Sequence, residues 1–156
     1  MTKTDIVEHL NQAKAAHLRW VQRAHMLIFG FDLDKNAIPV DFTQCNFGKW
    51  LYSECQKLCS IDENTCGLIS EIEKLHMNLH NSYLEIFKIY FGEQKKGFFE
   101  SIFGSKKKSL TEQEVKVAND HYKRLEEISS RLVDKLSLLQ KRIHSVPQDT
   151  INSIGL

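Results

Sequence analysis

Along the first part of the chain, apolar positions return at alternating steps of four and three. Ile6, Leu10, Ala13, His17, Trp20, Ala24 and Leu27 follow this rhythm. Residues three and four apart lie on one side of a helix, so the pattern is a seam facing other helices. It predicts a helix from about Thr4 to Phe29. Gly30 then suits the left-handed residue that ends a helix, and residues 30–41 read as a loop. A shorter pattern, Cys45, Gly48, Leu51, Cys55 and Leu58, predicts a second helix from about Phe42 to Leu58, capped by Asp41 or Thr43. Glycine inside a helix costs about 1 kcal/mol against alanine. Gly48 is therefore expected to sit where a neighbouring helix comes close.

Ser60-x-x-Glu63 reads as a capping box opening a third helix, about Asp62 to Phe91. Its seam is Ile69, Ile72, His76, Leu79, Tyr83, Ile86 and Tyr90. Residues 92–110 break the pattern, with glycines and clustered lysines. Here a short helical turn at Phe98–Phe103 is expected to dock on the bundle, the lysines forming a solvated loop or a docking surface. Thr111-x-x-Glu114 is a second capping box. It opens a fourth helix, to about Val146, with Val115, Ala118, Tyr122, Leu125, Leu132, Leu136, Leu139 and Ile143 at heptad spacing and Ser129 interrupting it. Pro147 stops the helix, and residues 147–156 read as a mobile tail. The fold class is all-α, an antiparallel four-helix bundle formed by a single domain over residues 1–146.

Composition narrows the function more than the fold. The 156 residues carry 21 basic and 20 acidic side chains, a formal charge of +1. That balance argues against nucleic-acid binding, which needs a concentrated basic surface. The N-terminus has no signal-peptide character. No run approaches the roughly 18 apolar residues of a membrane span, so no transmembrane segment is expected. The expected location is cytoplasmic, where Cys45, Cys55, Cys59 and Cys66 should be mainly reduced, without a disulfide framework.

Three seams carry a residue that does not suit a simple core. The first has His17, the second Cys45, and the third His76, with His80 one turn on. Singly, a seam histidine is ordinarily a hydrogen-bonded core residue and a cysteine small core filler. Four such residues on inward faces are harder to attribute to packing. Together they offer three imidazoles and one thiolate, a set that tetrahedral zinc accepts.

The residues around them sharpen this. His17-Leu18-Arg19-Trp20 sets an aromatic ring shortly after the first histidine. Cys45-x-Phe47-Gly48-x-Trp50 is a C-x-hydrophobic-G-x-aromatic element, and His76-x-x-x-His80 begins 26 positions after Trp50. This order and spacing, over about residues 13–84, resemble the chemoreceptor zinc-binding (CZB) family of bacterial signalling proteins. The resemblance implies a zinc site between three of the helices, with His17, Cys45, His76 and His80 as ligands. Trp20, Phe47, Gly48 and Trp50 would pack around it.

Four protein ligands leave no position for substrate or water, which points to a structural or sensing site and away from an enzyme. Cys45 is the single thiolate, and a thiolate is the reactive form toward oxidants. The resemblance implies a regulatory module, usually dimeric, that responds to zinc or to oxidants such as hypochlorous acid. Its output is chemotaxis or cyclic-di-GMP signalling. The chain has no GGDEF-like motif and no long chemoreceptor coiled coil, so it is expected to act through a signalling partner or as a piece of a larger receptor.

Two other functions compete. One is a zinc-stapled dimerisation or interaction module. The other is a di-iron oxygen-binding bundle, for which Glu73-x-x-His76 supplies one ExxH element but no second exists. His9, His25 and His144 read as partly exposed residues, and His121 as a neighbour of the fourth seam that could support the site. Cys55, Cys59 and Cys66 read as packing residues, with Cys55 a candidate resolving thiol for Cys45.

Overall fold

The structure, a computed structural model, describes residues 1–31, 41–91 and 109–155. Three long helices dominate it: α1 (Lys3–Ile28), α3 (Glu63–Phe91) and α4 (Glu112–Ser145). Between α1 and α3 lie α2 (Asn46–Leu51) and a 3-10 segment (Cys55–Ser60), and α5 (Gln148–Ser153) follows α4. There is no strand among the described residues. The all-α helical bundle expected from the periodicity is what forms.

Side-chain pairings give the helix directions. His17 meets His76, Trp20 meets Tyr83, and the Tyr90 hydroxyl donates to the Ile28 carbonyl, so α1 and α3 run parallel. On α4, Lys135 pairs with Glu71 and Arg142 donates to Thr65, so α4 runs antiparallel to α3. Lys3 donates to the His144 carbonyl at one end and His25 meets Tyr122 at the other, so α4 is antiparallel to α1 as well. Each predicted seam is buried. Ile6, Leu10 and Leu27 of α1, Ile69, Ile72, Leu79 and Ile86 of α3, and Leu125, Leu132, Leu136, Leu139 and Ile143 of α4 form one core. Val115 is exposed, at 39% in the first turn of α4, and Trp20, Cys45 and Tyr122 are half-buried at the edge of the core.

Local signals set the helix ends. Thr2 and Asp5 form a capping box on α1, and Thr111 and Glu114 form the expected one on α4. Gly30 takes φ +94° after α1, the conformation that favours glycine. α3 starts differently from expectation. Ser60 Oγ donates to the Lys57 carbonyl, and it is Asp62 that accepts from the Thr65 N–H.

Three further expectations are corrected. The second helix is not continuous from Phe42 to Leu58: it is α2, a turn at residues 52–54, and the 3-10 segment. Its shared-face spacing fits two short pieces as well as one long one. The segment after Pro147 is not a loose tail, because α5 tucks Ile151 into the core at 1% exposure and packs Ile154 beside it. Finally, Cys59 and Cys66 are joined in a disulfide, with Cα atoms 4.2 Å apart. The turn at residues 61–62 folds the end of the 3-10 segment back beside the start of α3. The turn expected at Phe98–Phe103 and its flanking lysines lie outside the described residues.

Candidate metal centre

α1 and α3 supply three imidazoles from their buried faces. His17, His76 and His80 are 2%, 0% and 1% exposed. His17 is oriented by its own helix: its Nδ1 lies 2.6 Å from the Ala13 carbonyl. Donation to that carbonyl leaves Nε2 as the lone-pair nitrogen. His76 and His80 share one face of α3 because they are four apart, and their rings lie 4.6 Å apart.

The thiol arrives from a different kind of element. Cys45 is the N-cap of α2, and its Sγ accepts the Gly48 N–H at 3.1 Å. Asp41 does not cap α2; it accepts from the Thr43 N–H and hydroxyl. Gly48 is required here, since a Cβ would collide with the Phe42 carbonyl oxygen and lie 3.2 Å from Thr43 Cα. The close approach expected at Gly48 therefore comes from the turn before α2, not from a neighbouring helix. Capping by Cys45 and this contact together fix where the sulfur points.

One donor atom from each of His17, Cys45, His76 and His80 lies within 4.8 Å of all the others. Cys45 Sγ is 3.3 Å from His76 Nε2. A nitrogen and a sulfur sharing one tetrahedral zinc ion at ordinary bond lengths lie about 3.5 Å apart. The pair is thus already close to a shared-ligand separation. Burial, and after it repulsion from His17 and His80, pushes the pKa of His76 down to about 2. Burial likewise lowers that of His17, against the opposing pull of the Ala13 carbonyl. Both imidazoles are therefore neutral, the form that binds metal. Burial raises the Cys45 thiol, while the Gly48 and Phe47 N–H groups pull it down. A bound cation deprotonates such a thiol. Glu73 is not in the group; it pairs with Tyr52 instead. Three imidazole nitrogens and one sulfur, without a carboxylate, suit zinc and do not suit a di-iron centre.

Aromatic rings wall the cluster. Phe47 meets His17 and His76 edge-on at 5.4 and 5.0 Å. Trp20, half-buried, lies 4.2 Å from His80. Trp50 touches Phe47 at 5.9 Å but stacks mainly on His9, at 5.1 Å and 17°. His9 thus has a defined packing role that its position in the sequence does not reveal. Phe42 is a further wall residue without a sequence signal: its ring approaches His76 and His80 at 6.5 and 6.4 Å. No seam rule marks a residue in a turn. An open cleft of about 830 Å³ between α1 and α2, lined by His9, Arg19, Lys49 and Trp50 among others, reaches His17 and Cys45.

The remaining candidates lie elsewhere. His121 lines a polar groove between α3 and α4 with Asn78, Glu85 and Arg131, away from the cluster. His25 and His144 are exposed. Cys55 is fully buried, and burial pushes its thiol up to about 12. It is therefore a poor resolving nucleophile.

No helix among the described residues is long and apolar enough to cross a membrane. No curated protein and no solved structure matches the chain. The family model of the chemoreceptor zinc-binding domain matches residues 17–87, a stretch that begins at His17 and takes in Cys45, His76 and His80. The family's metal is the one this donor set selects. Residues 17–87 of this chain accordingly match the chemoreceptor zinc-binding domain, and zinc is the cofactor that this domain and the four-residue cluster share.

Proposed function

We propose that this chain is a zinc-dependent regulatory domain in which His17, Cys45, His76 and His80 are the four ligands and Cys45 is the responsive one. The observation that carries this reading is the convergence of three buried imidazoles and one thiol from three elements. Zinc, when bound, joins these elements and holds Cys45 as a thiolate. The four donors leave no open position for water or substrate, so the reading is regulatory and not enzymatic.

The chain's own residues supply the switch. His17, His76 and His80 stand on long helices whose seams fix them. Cys45 caps a six-residue helix at the foot of an open cleft. Oxidants reach that sulfur first, and oxidation to a sulfenic acid weakens it as a ligand. α2 is then free to shift against α1 and α3, a local change of the kind that switches pass on to partners. The domain covers residues 1–146 with α5 folded onto it. It works in the cytoplasm as a homodimer, delivering its signal to a chemotaxis or cyclic-di-GMP partner. No nucleic acid is involved.

A second reading has the site as a permanent zinc staple for an interaction module, favoured by the near-complete burial of all three histidines. One experiment separates them. Zinc-loaded protein is treated with rising hypochlorous acid while zinc release and the oxidation of each cysteine are followed. A sensor releases zinc as Cys45 is oxidised, ahead of Cys55 and, in protein reduced beforehand, ahead of Cys59 and Cys66, with the fold intact. Retention of zinc until the helices melt supports the staple instead.

A further inference from the structure

The arm that carries Cys45 has a root, and that root holds a second pair of sulfurs. We propose that Cys59 and Cys66 form a reversible dithiol–disulfide couple, a redox site separate from Cys45, which sets how tightly the Cys45 arm is held to the metal. The inference rests on the zinc reading above.

Cys59 lies near the end of the 3-10 segment and Cys66 near the start of α3, seven residues on in sequence and bonded to it. Both are half-buried, so a small reagent reaches them, whereas Cys55 is sealed in the core. The bond spans the turn through which the whole arm, α2 and the 3-10 segment, joins the helix bearing His76 and His80. The same turn contains Asp62, which caps α3 and pairs with Arg142 of α4. A swing of the arm about this root carries Cys45 away from the cluster. With the disulfide closed, the root is tied covalently to α3. With it open, the buried side chains of Cys55 and Leu58 and the polar contacts of the turn hold it.

The chemistry needs only a low-molecular-weight disulfide such as oxidised glutathione. One cysteine thiolate attacks a sulfur of the reagent and expels a thiol. The second cysteine then displaces the reagent's other half, closing the bond between Cys59 and Cys66. Two electrons pass to the reagent, and both cysteine protons end on the two released thiols. Reduction reverses each step. Couples of this kind in reducing compartments are typically transient and used for sensing.

The test equilibrates the full chain with glutathione at graded ratios of oxidised to reduced form. The disulfide is mapped by mass spectrometry, and zinc affinity is measured against a competing chelator once glutathione is removed. The expected result is a disulfide confined to Cys59 and Cys66, with the oxidised chain binding zinc about fivefold or more tightly than the reduced one. By linkage, saturating zinc shifts the dithiol–disulfide equilibrium toward the disulfide by the same factor. The Cys59→Ser/Cys66→Ser chain binds one zinc with the affinity of the reduced wild type at every ratio. If that variant misfolds, the reduced wild type still supplies the comparison. Equal affinities in the two redox states, or no mapped disulfide at any ratio, overturn the inference while leaving one zinc per chain. A wild-type chain that binds no zinc overturns the zinc reading as well.

Discussion

The helices that carry the histidines and the arm that carries the cysteine are built in different ways. α3 runs 29 residues, buries a seam from Thr65 to Tyr90, and packs against α4 along its length. Its two site histidines are set in place by the same burial that holds the helix. The arm has six residues of α-helix and six of 3-10 helix, too short to persist on its own. Its position depends on particular contacts: Gly48 against Phe42, Phe47 between the rings of His17 and His76, Trp50 on His9, and the bond at its root. The difference divides the labour of the site. The scaffold presents three imidazoles through its own burial, while the thiol is placed by a short element that rests on a few particular contacts.

Damage to the scaffold away from the cluster should separate the two regions most visibly. Leu136 of α4 is fully buried, so Leu136→Ala should lower unfolding stability by about 2–5 kcal/mol. Zinc stoichiometry at low temperature should stay at the wild-type value. Urea unfolding and metal analysis of the same preparation check both halves. Gly48→Ala tests the arm. Its methyl group has nowhere to go except into the Phe42 backbone, and the displacement should cost about 3 kcal/mol. Here zinc affinity should fall together with stability, in contrast to Leu136→Ala. A chelator competition that finds unchanged affinity would show that the sulfur is not placed by this contact.

Acid sharpens the same contrast on the metal-free chain. His76 titrates at about 2 when folded because of its burial and its neighbouring imidazoles, and near 6.5 when unfolded. Between those values the unfolded chain binds more protons, so stability is lost as pH falls below about 6.5. His17, lowered by burial, adds in the same direction. Lowering the pH from 7.5 to 5 should cost about 2 kcal/mol from His76 alone. Denaturant midpoints at the two pH values measure it, and a His76→Gln chain should show a shallower dependence. The smallest effect expected is at the outer edge of the arm. His9→Ala removes the ring stacked on Trp50, at a cost of about 0.5–1 kcal/mol. It should leave one zinc per chain. Thermal melts of the zinc-loaded protein would detect the change.

What is legible in the sequence follows the same division. The long helices announce themselves because a seam repeated over many turns leaves little freedom of register, and His17, His76 and His80 stand within those seams or one turn from them. The arm does not. Cys45, Gly48, Leu51, Cys55 and Leu58 share a face in one long helix, yet two short pieces bury the same residues. Asp41 and Thr43 look like caps by residue type, but Asp41 turns back onto Thr43 and the sulfur of Cys45 takes the cap. Phe42 and His9 leave no trace in the pattern because they act through ring contacts with residues far away in sequence. α5 reads as a tail because a single turn carrying Ile151 and Ile154 has too few apolar positions to show a period. The disulfide between Cys59 and Cys66 depends on a turn whose direction no periodicity reports.

The central claim is that the four side chains hold one metal ion together, and the most direct test is elemental analysis of the purified chain beside its Cys45→Ser and His80→Ala variants. One zinc per chain in the wild type, lost in both variants while their helix content persists, is the predicted result. Iron at two per chain, or full zinc content in either variant, would contradict it.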